Sequence, residues 1–346
     1  MPARSPAVSA ALQTARDTAK GVTGVIDLHA HVVLEAVFDQ AGLHGPESGV
    51  SADGVPFFRI GKYSMKPMAY RGTIFMDVNK RLERMAELGI ALQMLSPNPL
   101  TMFHRIDAPT AIHFCKVHND AMADLVSRHP GKLLGAAALP MQDVDAALRE
   151  LERCVTQLGL VAAHTGTDYP CTLDDARLDD FYRTLVALDV PLFLHPSSTG
   201  GAELPDDSRM ARFDLSILMG YAYEETLATA TLVIGGVLER HPTVDICVSH
   251  GGGSMPYLWQ RFQKMASFRA WAPASVQANG FRESMKQLWF DAHVEGDASM
   301  QMLVDVVGTE RLTFGTNFGG WDAPTHVDPF AASLTTNARR LLRLPA

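Results

Sequence analysis

Cysteine is scarce in this sequence. Only four cysteines occur among 346 residues, namely Cys115, Cys154, Cys171 and Cys247, and no two of them form a C-x-x-C pair. This spacing does not fit a dense disulfide framework. We therefore interpret them as free thiols in a reducing compartment and expect a cytoplasmic protein.

The chain also lacks long apolar runs and any excess of positive charge. No stretch reaches about 18 consecutive apolar residues, and residues 1–23 contain no apolar core of signal-peptide length. The 30 Lys and Arg residues are outnumbered by 38 Asp and Glu residues, for a net charge of −8. We expect neither a membrane nor a nucleic-acid partner, which leaves chemistry on a small molecule.

Apolar segments that alternate with helical ones dominate the rest of the chain. The hydrophobic period changes at each boundary, which predicts strands separated by helices. Eight strands are predicted, over Val25–His31, Ile90–Leu95, Leu133–Leu139, Leu160–His164, Pro191–His195, Val244–Ser249, Leu288–His293 and Leu312–Gly315. Helices are predicted over about 77–88, 108–128, 144–158, 175–188, 221–240, 255–265, 300–307 and 329–342.

Eight such units favour an α/β fold of the closed (β/α)8 barrel type, because strands that are apolar throughout are buried on both faces. A doubly wound sheet is less favoured, since no G-x-G-x-x-G follows the first strand. We predict an N-terminal arm over residues 1–23 and a single domain over residues 24–346. The polar, glycine-rich stretch 41–68 is predicted to be a hairpin or lid inserted after the first strand.

Polar residues fall where the predicted strands end, which is where (β/α)8 barrels carry their chemistry. His29 and His31 end the first strand and point to one face, because side chains two apart on a strand do so. His195, His250 and Asn317 lie at the ends of the fifth, sixth and eighth strands. Each has a structural alternative, such as a strand-edge histidine or a helix cap, but their recurrence at one end of the barrel favours a metal site.

These strand ends also resemble a known family. The segments Asp27–His31, Phe193–Pro196, Ser249–Gly253 and Phe314–Phe318 are similar to motifs of the amidohydrolase superfamily, in particular of its metal-dependent aromatic and muconate decarboxylases. The resemblance extends over residues 25–342. Relatives in the superfamily include C–C hydrolases and a hydratase. The resemblance is therefore stronger evidence for the family than for the reaction.

The resemblance implies a role for each strand-end residue. His29, His31 and His195 are expected to be metal ligands, and His250 the acid–base residue acting with a metal-bound water. The resemblance implies one divalent metal ion per chain. We expect this metal to be zinc, because neutral imidazoles are suitable zinc ligands, and manganese is the alternative. The fourth predicted strand has no lysine for the bridging carbamate that binuclear relatives use.

Asn317 departs from the family pattern, in which this position is usually Asp and sometimes Glu. A carboxamide can coordinate a metal weakly through its oxygen, but it cannot exchange a proton near neutral pH. Either His250 and the metal-bound water carry all proton transfers, or the chain is a non-catalytic protein that binds a small acid and a structural metal. Alternatively a nearby carboxylate substitutes, and the candidates are Glu295, Asp291 and Asp322.

The resemblance further implies an anionic substrate. Arg59, beside Phe58 in the predicted hairpin, and Arg261, on the helix after the sixth strand, match positions that bind substrate carboxylates in a relative. There the second arginine comes from the partner subunit, so Arg261 implies a homodimer or higher homo-oligomer. A surface position is the ordinary alternative for each arginine. His164 and Glu295 also fall near strand ends and are expected to line the pocket.

Together these residues predict a metal-dependent lyase that removes CO2 without oxidation from an aromatic or muconate-type carboxylic acid. The leading alternative is a metal-dependent hydrolase that cleaves a C–C bond of a ring-fission product, followed by a hydratase. Release of CO2 as against incorporation of water distinguishes these reactions.

Overall fold

The computed structural model describes residues 8–61, 63–197, 208–320 and 322–346. The first seven residues of the predicted arm and Lys62 of the predicted hairpin lie outside this described part. Eight parallel strands form the central sheet. In chain order they are β1 (Val25–Val32), β5 (Ile90–Pro97), β6 (Leu133–Ala138), β7 (Ala162–Thr165), β8 (Leu192–Leu194), β9 (Ile246–Val248), β10 (Trp289–Asp291) and β11 (Leu312–Thr313).

The sheet closes on itself. Each strand pairs in parallel with the next along the chain. The first and last strands meet where the Leu28 amide donates to the Phe314 carbonyl at 2.9 Å and where Ala30 bridges in parallel to Phe318. The predicted (β/α)8 barrel is confirmed, and the ends of its strands lie together on one face.

Helices surround the barrel. They are α1 (Ala10–Asp17), α2 (Val78–Glu87), α3 (Ala108–Ser127), α4 (Val144–Thr156), α5 (Asp179–Leu188), α6 (Leu215–Leu218), α7 (Gly220–Ile234), α8 (Val237–Arg240), α9 (Met255–Ala266), α10 (Ala274–Asn279), α11 (Phe281–Met285), α12 (Asp297–Val307), α13 (Pro329–Ser333) and α14 (Thr335–Leu342). No helix in the described part of the chain combines the length and the apolar composition needed to cross a bilayer.

Two predicted helices are interrupted. The helix predicted over 221–240 divides into α7 and α8 at Gly235 and Gly236, and Gly236 has a φ of +73°, a left-handed conformation that interrupts a helix. The helix predicted over 329–342 divides into α13 and α14 at Leu334. The short helices α10 and α11 were not predicted, because neither is long enough to show a clear helical period.

The insertion after β1 is larger than the predicted hairpin. Strands β2 (Glu47–Val50), β3 (Pro56–Ile60) and β4 (Tyr63–Met65) form a three-stranded antiparallel sheet. Its Phe58 side chain is fully buried and packs edge-on against Tyr70, with ring centroids 4.5 Å apart. This sheet is therefore anchored by an aromatic core of its own.

The N-terminal arm packs onto the barrel. Leu12 of α1 is fully buried, and the Ser9 hydroxyl, which caps α1, donates to the Val155 carbonyl at 3.0 Å. The Arg16 guanidinium donates to the Asp189 carbonyl at 2.5 Å. From residue 9 onward, the segment predicted to be an arm is thus an integral part of the domain.

A buried carboxylate joins three barrel strands below the strand ends. Asp27 is fully buried, and its oxygens accept from the His29 amide at 3.0 Å and from the Thr316 amide at 3.1 Å. They also accept from the Thr316 hydroxyl at 2.7 Å and from the Gln93 side chain at 2.8 Å. Burial raises the pKa of Asp27, whereas these hydrogen bonds favour its ionised form.

Arg81 of α2 supplies the opposite charge. It is almost fully buried and donates to the Gln93 side chain at 2.6 Å and to the His31 carbonyl at 2.5 Å. Its guanidinium lies 4.8 Å from the centre of the Phe318 ring. Burial lowers the pKa of Arg81 to about 9, which still leaves it charged at neutral pH. Gln93 bridges the two residues, and the positive charge of Arg81 compensates the negative charge of Asp27.

We expect Arg81→Met to lower the free energy of unfolding by about 3–5 kcal/mol, because it leaves a buried carboxylate without its compensating charge. Urea unfolding measures the change. Arg84→Met, on the same helix, is the matched control: Arg84 forms a partly exposed ion pair with Glu87 at 2.9 Å, so its loss should cost about 0.5 kcal/mol or less. Equal losses in the two variants would contradict the buried-charge interpretation.

Candidate active site

Three buried imidazoles converge at the barrel mouth. His29 and His31 come from β1, and His195 directly follows β8. The Nε2 atoms of His29 and His31 are 3.1 Å apart, and those of His31 and His195 are 3.3 Å apart. The predicted convergence of these residues is therefore present in the structure.

The outer nitrogen of each imidazole faces an oxygen. The Nδ1 atom of His29 lies 2.7 Å from an Asp291 carboxylate oxygen, that of His31 lies 3.1 Å from the Pro97 carbonyl, and that of His195 lies 2.7 Å from the Pro196 carbonyl. Carbonyl and carboxylate oxygens only accept, so each Nδ1 carries the proton and donates. Each neutral ring consequently directs an Nε2 lone pair at the other two.

The electrostatics keep these rings neutral. Burial lowers the pKa values of His29, His31 and His195, and neighbouring histidines lower them further. Three lone pairs at this spacing repel one another unless a cation lies between them. Tetrahedral zinc ligands at about 2.0–2.1 Å from the metal lie about 3.3 Å from each other, close to the observed spacing. The donor set therefore fits one divalent metal ion.

Two neighbours fix the position of His29. Asp291, at the end of β10, holds its Nδ1 proton, and the pKa of Asp291 is lowered because His29 and nearby histidines outweigh the effect of burial. Gly315 lies so close that a Cβ atom there would be 2.4 Å from the Cβ of His29. Glycine is required at 315 because any larger residue would displace this imidazole.

His250 lies beside the three imidazoles. Its ring centroid is 5.0 Å from those of His29 and of His195. Its Nδ1 atom is 2.5 Å from the Glu225 carboxylate, which also accepts from the Ser249 hydroxyl at 2.6 Å. Because Glu225 occupies Nδ1, the Nε2 atom is left for a bound molecule.

The carboxylate below His250 sets its charge. Burial by itself lowers the pKa of His250, but Glu225, Asp291 and Asp322 outweigh burial and raise it to about 9. Glu225 is fully buried, which raises its own pKa, although the contact with His250 favours its ionised form. The histidine–carboxylate pair can therefore hold a proton at neutral pH.

A second polar group extends from the eighth strand end. The Asn317 amide nitrogen donates to Asp322 at 2.7 Å, and the other oxygen of Asp322 lies 3.0 Å from Nε2 of His293. His250, Asn317, Asp322 and His293 line one cavity with the aromatic ring of Tyr221. Among the described residues that line this cavity there is neither a lysine nor an arginine.

The predicted pocket residues take different positions. Glu295 lines the cavity from an exposed position. His164 is buried with its ring centroid 6.0 Å from those of both His31 and His195, and burial lowers its pKa to about 3. Arg261 is exposed on α9.

The structure places Arg59 and the neighbouring Phe58 in the inserted sheet. The Arg59 guanidinium forms an ion pair with Glu47 and donates to the Leu43 and Gly61 carbonyls at 3.1 and 2.8 Å. Phe58 is fully buried in the inserted sheet. Neither residue is among those that line the cavity. Both side chains are engaged by the insertion in this structure, and their role toward a substrate stays a prediction.

Sequence reasoning did not identify Glu225. It lies on helix α7, away from any strand end, so a search of strand ends could not find it. A signal was nevertheless present, since Glu224 and Glu225 are the only charged residues in the 15-residue helix α7. A carboxylate within such an apolar helix is buried and needs a partner.

Comparison with known proteins agrees with this geometry. The chain is 29% identical over 302 residues to 2-amino-3-carboxymuconate-6-semialdehyde decarboxylase from Dictyostelium discoideum, covering 85% of this chain and 81% of the relative. It is 30% identical over 291 residues to gamma-resorcylate decarboxylase from Rhizobium sp. (strain MTP-10005), covering 76% of this chain and 86% of the relative.

A solved structure shares the fold. The crystal structure of dihydroxybenzoic acid decarboxylase from Polaromonas sp. JS666, with bound manganese and the inhibitor 2-nitroresorcinol, superposes with a TM-score of 0.72. The match is 24% identical and covers 93% of this chain and 97% of that one. The amidohydrolase family model matches residues 26–344. The chain therefore belongs to the amidohydrolase family.

Proposed function

We propose that this protein is a metal-dependent, non-oxidative decarboxylase of an aromatic or muconate-type carboxylic acid. The observation that carries the proposal is the set of three converging Nε2 lone pairs beside the His250–Glu225 pair. The first feature fits a divalent cation and the second a proton carrier. The decarboxylases to which the chain is similar support this choice of reaction.

His29, His31 and His195 would hold one divalent metal, which we propose to be zinc, with manganese as the alternative. Asn317 could add its amide oxygen as a weak ligand, since its nitrogen is used by Asp322. When bound, such a cation polarises substrate oxygens and neutralises negative charge. Asp291 and the two backbone carbonyls orient the imidazoles, which fixes the tautomer that leaves Nε2 free.

His250 moves the proton in this proposal. Decarboxylation breaks the bond between the carboxylate carbon and the rest of the substrate, and the electron pair stays on the substrate carbon as CO2 leaves. A proton must then form the new C–H bond, and protonated His250, stabilised by Glu225, supplies it. No oxidant or reductant is required. A C–C hydrolase or a hydratase would use the same residues but would consume water.

We also propose that the protein is a homodimer, or a larger homo-oligomer, in which Arg261 enters the partner's site. The cavity has no cationic side chain among its described lining residues, although the substrate is anionic. Arg261 is exposed, and no ion pair or hydrogen bond holds it within the described residues. It shares one face of α9 with Tyr257 and Met265, which are 76% and 41% exposed, and Phe268, just after the helix, is 62% exposed. An exposed apolar face of this kind is typical of a subunit interface.

The metal assignment can be tested by elemental analysis of purified protein. We expect about one divalent metal per chain in the parent and little in His29→Ala or His195→Ala, because each variant removes one of three converging donors. His113→Ala is the control, since His113 is exposed and contacts only Gln40 in the described structure, at 3.0 Å. Full metal occupancy in both site variants would refute the assignment.

The proton-transfer role can be tested by kinetics. His250→Asn should keep the metal and reduce kcat by about 10²–10⁴-fold, as is usual for loss of a general acid or base. Glu225→Gln should also lower kcat, because it removes the charge that stabilises protonated His250. Glu224→Gln is the matched control, since that neighbouring carboxylate accepts from Thr167 at 3.1 Å instead. A His250→Asn enzyme as fast as the parent would show that another group carries the proton.

The role of Arg261 can be tested with hybrid oligomers. Arg261→Ala should raise KM and leave the metal content unchanged, whereas Lys264→Ala on the same helix should behave like the parent. Co-expression of Arg261→Ala with His195→Ala should restore about a quarter of parental activity if the protein is a dimer, because half of the dimers are hybrids with one complete site of two. No recovery in the mixture, or a fully active monomer, would contradict an arginine supplied by the partner.

A further inference from the structure

The family's usual carboxylate is missing at the end of the eighth strand, but a carboxylate lies next to that position. Asn317 occupies the strand end, and its amide nitrogen donates to Asp322, five residues later, at 2.7 Å. A carboxylate oxygen only accepts, so the amide nitrogen of Asn317 must face Asp322. The two side chains therefore form a pair of fixed orientation.

The backbone holds this pair in place. The Gly320 amide donates to the Asn317 carbonyl at 2.6 Å. A Cβ atom at Gly320 would lie 2.7 Å from the Asn317 amide nitrogen and 2.8 Å from its Cγ. The absence of a side chain at Gly320 thus leaves the space that the Asn317 side chain occupies.

Both oxygens of Asp322 are engaged by residues of the cavity wall. One accepts from Asn317, and the other lies 3.0 Å from Nε2 of His293. The carboxylate is 12% exposed. A carboxylate oxygen of Asp322 and ring nitrogens of His250 and His293 lie within 4.8 Å of one another. Asp322 therefore lies within reach of a substrate bound beside His250 in this cavity.

The other candidate carboxylates are less suitable. Asp291 is buried, and its oxygens bind the His29 ring at 2.7 Å and the His293 amide at 3.1 Å. Glu225 holds the Nδ1 proton of His250. Glu295 is exposed to solvent, where its charge is screened. Among these four, Asp322 is the carboxylate that lines the cavity and is held by two side chains other than His250.

We infer that Asp322 is a catalytic residue that presents the negative charge at the eighth strand end to the substrate, and that Asn317 is the residue that positions it. A carboxamide at the strand end thus holds the carboxylate that lies five residues later. The inference rests on the proposed function, since it assumes a reaction in this cavity. It also explains how the chain retains its anionic group despite Asn317.

The test is a reciprocal exchange across the hydrogen bond. In Asp322→Asn the pair can still form an amide–amide hydrogen bond, but the negative charge is gone, so we expect metal content to stay near one per chain and kcat/KM to fall at least 100-fold. In the double variant Asn317→Asp/Asp322→Asn the donor and acceptor change places and the charge returns. We expect the kcat/KM of this double variant to be at least tenfold higher than that of Asp322→Asn.

Two further variants separate the effect of the Asp322 charge from the effect of the hydrogen bond that holds it. Asn317→Ala keeps the Asp322 charge but removes its donor, and we expect a loss of about tenfold. Asp179→Asn is the matched control, because Asp179 accepts from His241 at 2.9 Å outside the site, and it should behave like the parent. If Asp322→Asn does not fold, the double variant and Asn317→Ala still decide the question.

The outcomes distinguish this inference from the proposed function. Product analysis of the parent comes first, on a panel of hydroxybenzoates and muconate semialdehydes. If the parent incorporates water and releases no CO2, the proposed reaction is wrong, and the variants are compared on the observed reaction. If the parent releases CO2 but Asp322→Asn matches it, or the double variant is no better than the single one, only the role of Asp322 is refuted. No turnover in any of these reactions would contradict both.

Discussion

Mutual repulsion among three neutral imidazoles is the constraint on which this site depends. The Nε2 atom of His31 lies 3.1 Å from that of His29 and 3.3 Å from that of His195, and each Nδ1 proton is held from outside. The oxygens that hold these protons come from the end of β10, the end of β5 and the residue that follows His195. Separate parts of the barrel thus maintain the arrangement that fits a cation.

The Asp27 network gives this arrangement a rigid base. It joins β1 to β5 through Gln93 and to the segment after β11 through Thr316, where the barrel closes. Arg81 compensates the buried charge and also holds the His31 carbonyl. Because the same backbone carries His29 and His31, an unpaired charge in this network would disturb the ligands as well as the fold. Stability and function share these residues.

The barrel could be predicted from the sequence because buried parallel strands are continuous apolar segments. The amphipathic helices between them mark where each strand begins and ends. The proximity of His29, His31, His195 and His250 could also be predicted from the sequence. The carboxyl ends of parallel strands lie on the same face of a barrel, regardless of the conformation of the loops between them. The ion pair of Arg59 with Glu47 could not be predicted, because Glu47 lies on a neighbouring strand of the insertion. Such a pairing depends on strand register, which composition does not specify.

Helix residues were harder to place than strand residues. Glu225 reaches His250 from a helix, and the helical period indicates only that this face of α7 is buried, not what it contacts. Asp322 could be proposed as one of three carboxylates, but choosing among them required the hydrogen bonds of Asn317 and His293. The sequence therefore predicted the positions that lie on strands, and the structure was needed for side chains that reach the site from helices and loops.

The final strand, β11, is only two residues long, and residues 314–320 follow it mostly as irregular chain. Gly315, Thr316 and Phe318 are fixed by close packing and by the Asp27 network, whereas Asn317 and Asp322 are only partly buried, so substitutions at these two positions should cost the barrel less stability. Evolution could therefore move an acidic group along this segment by single replacements while the protein continued to fold. A fold of this kind can diversify its chemistry at one strand end and keep its inherited imidazoles unchanged at the others.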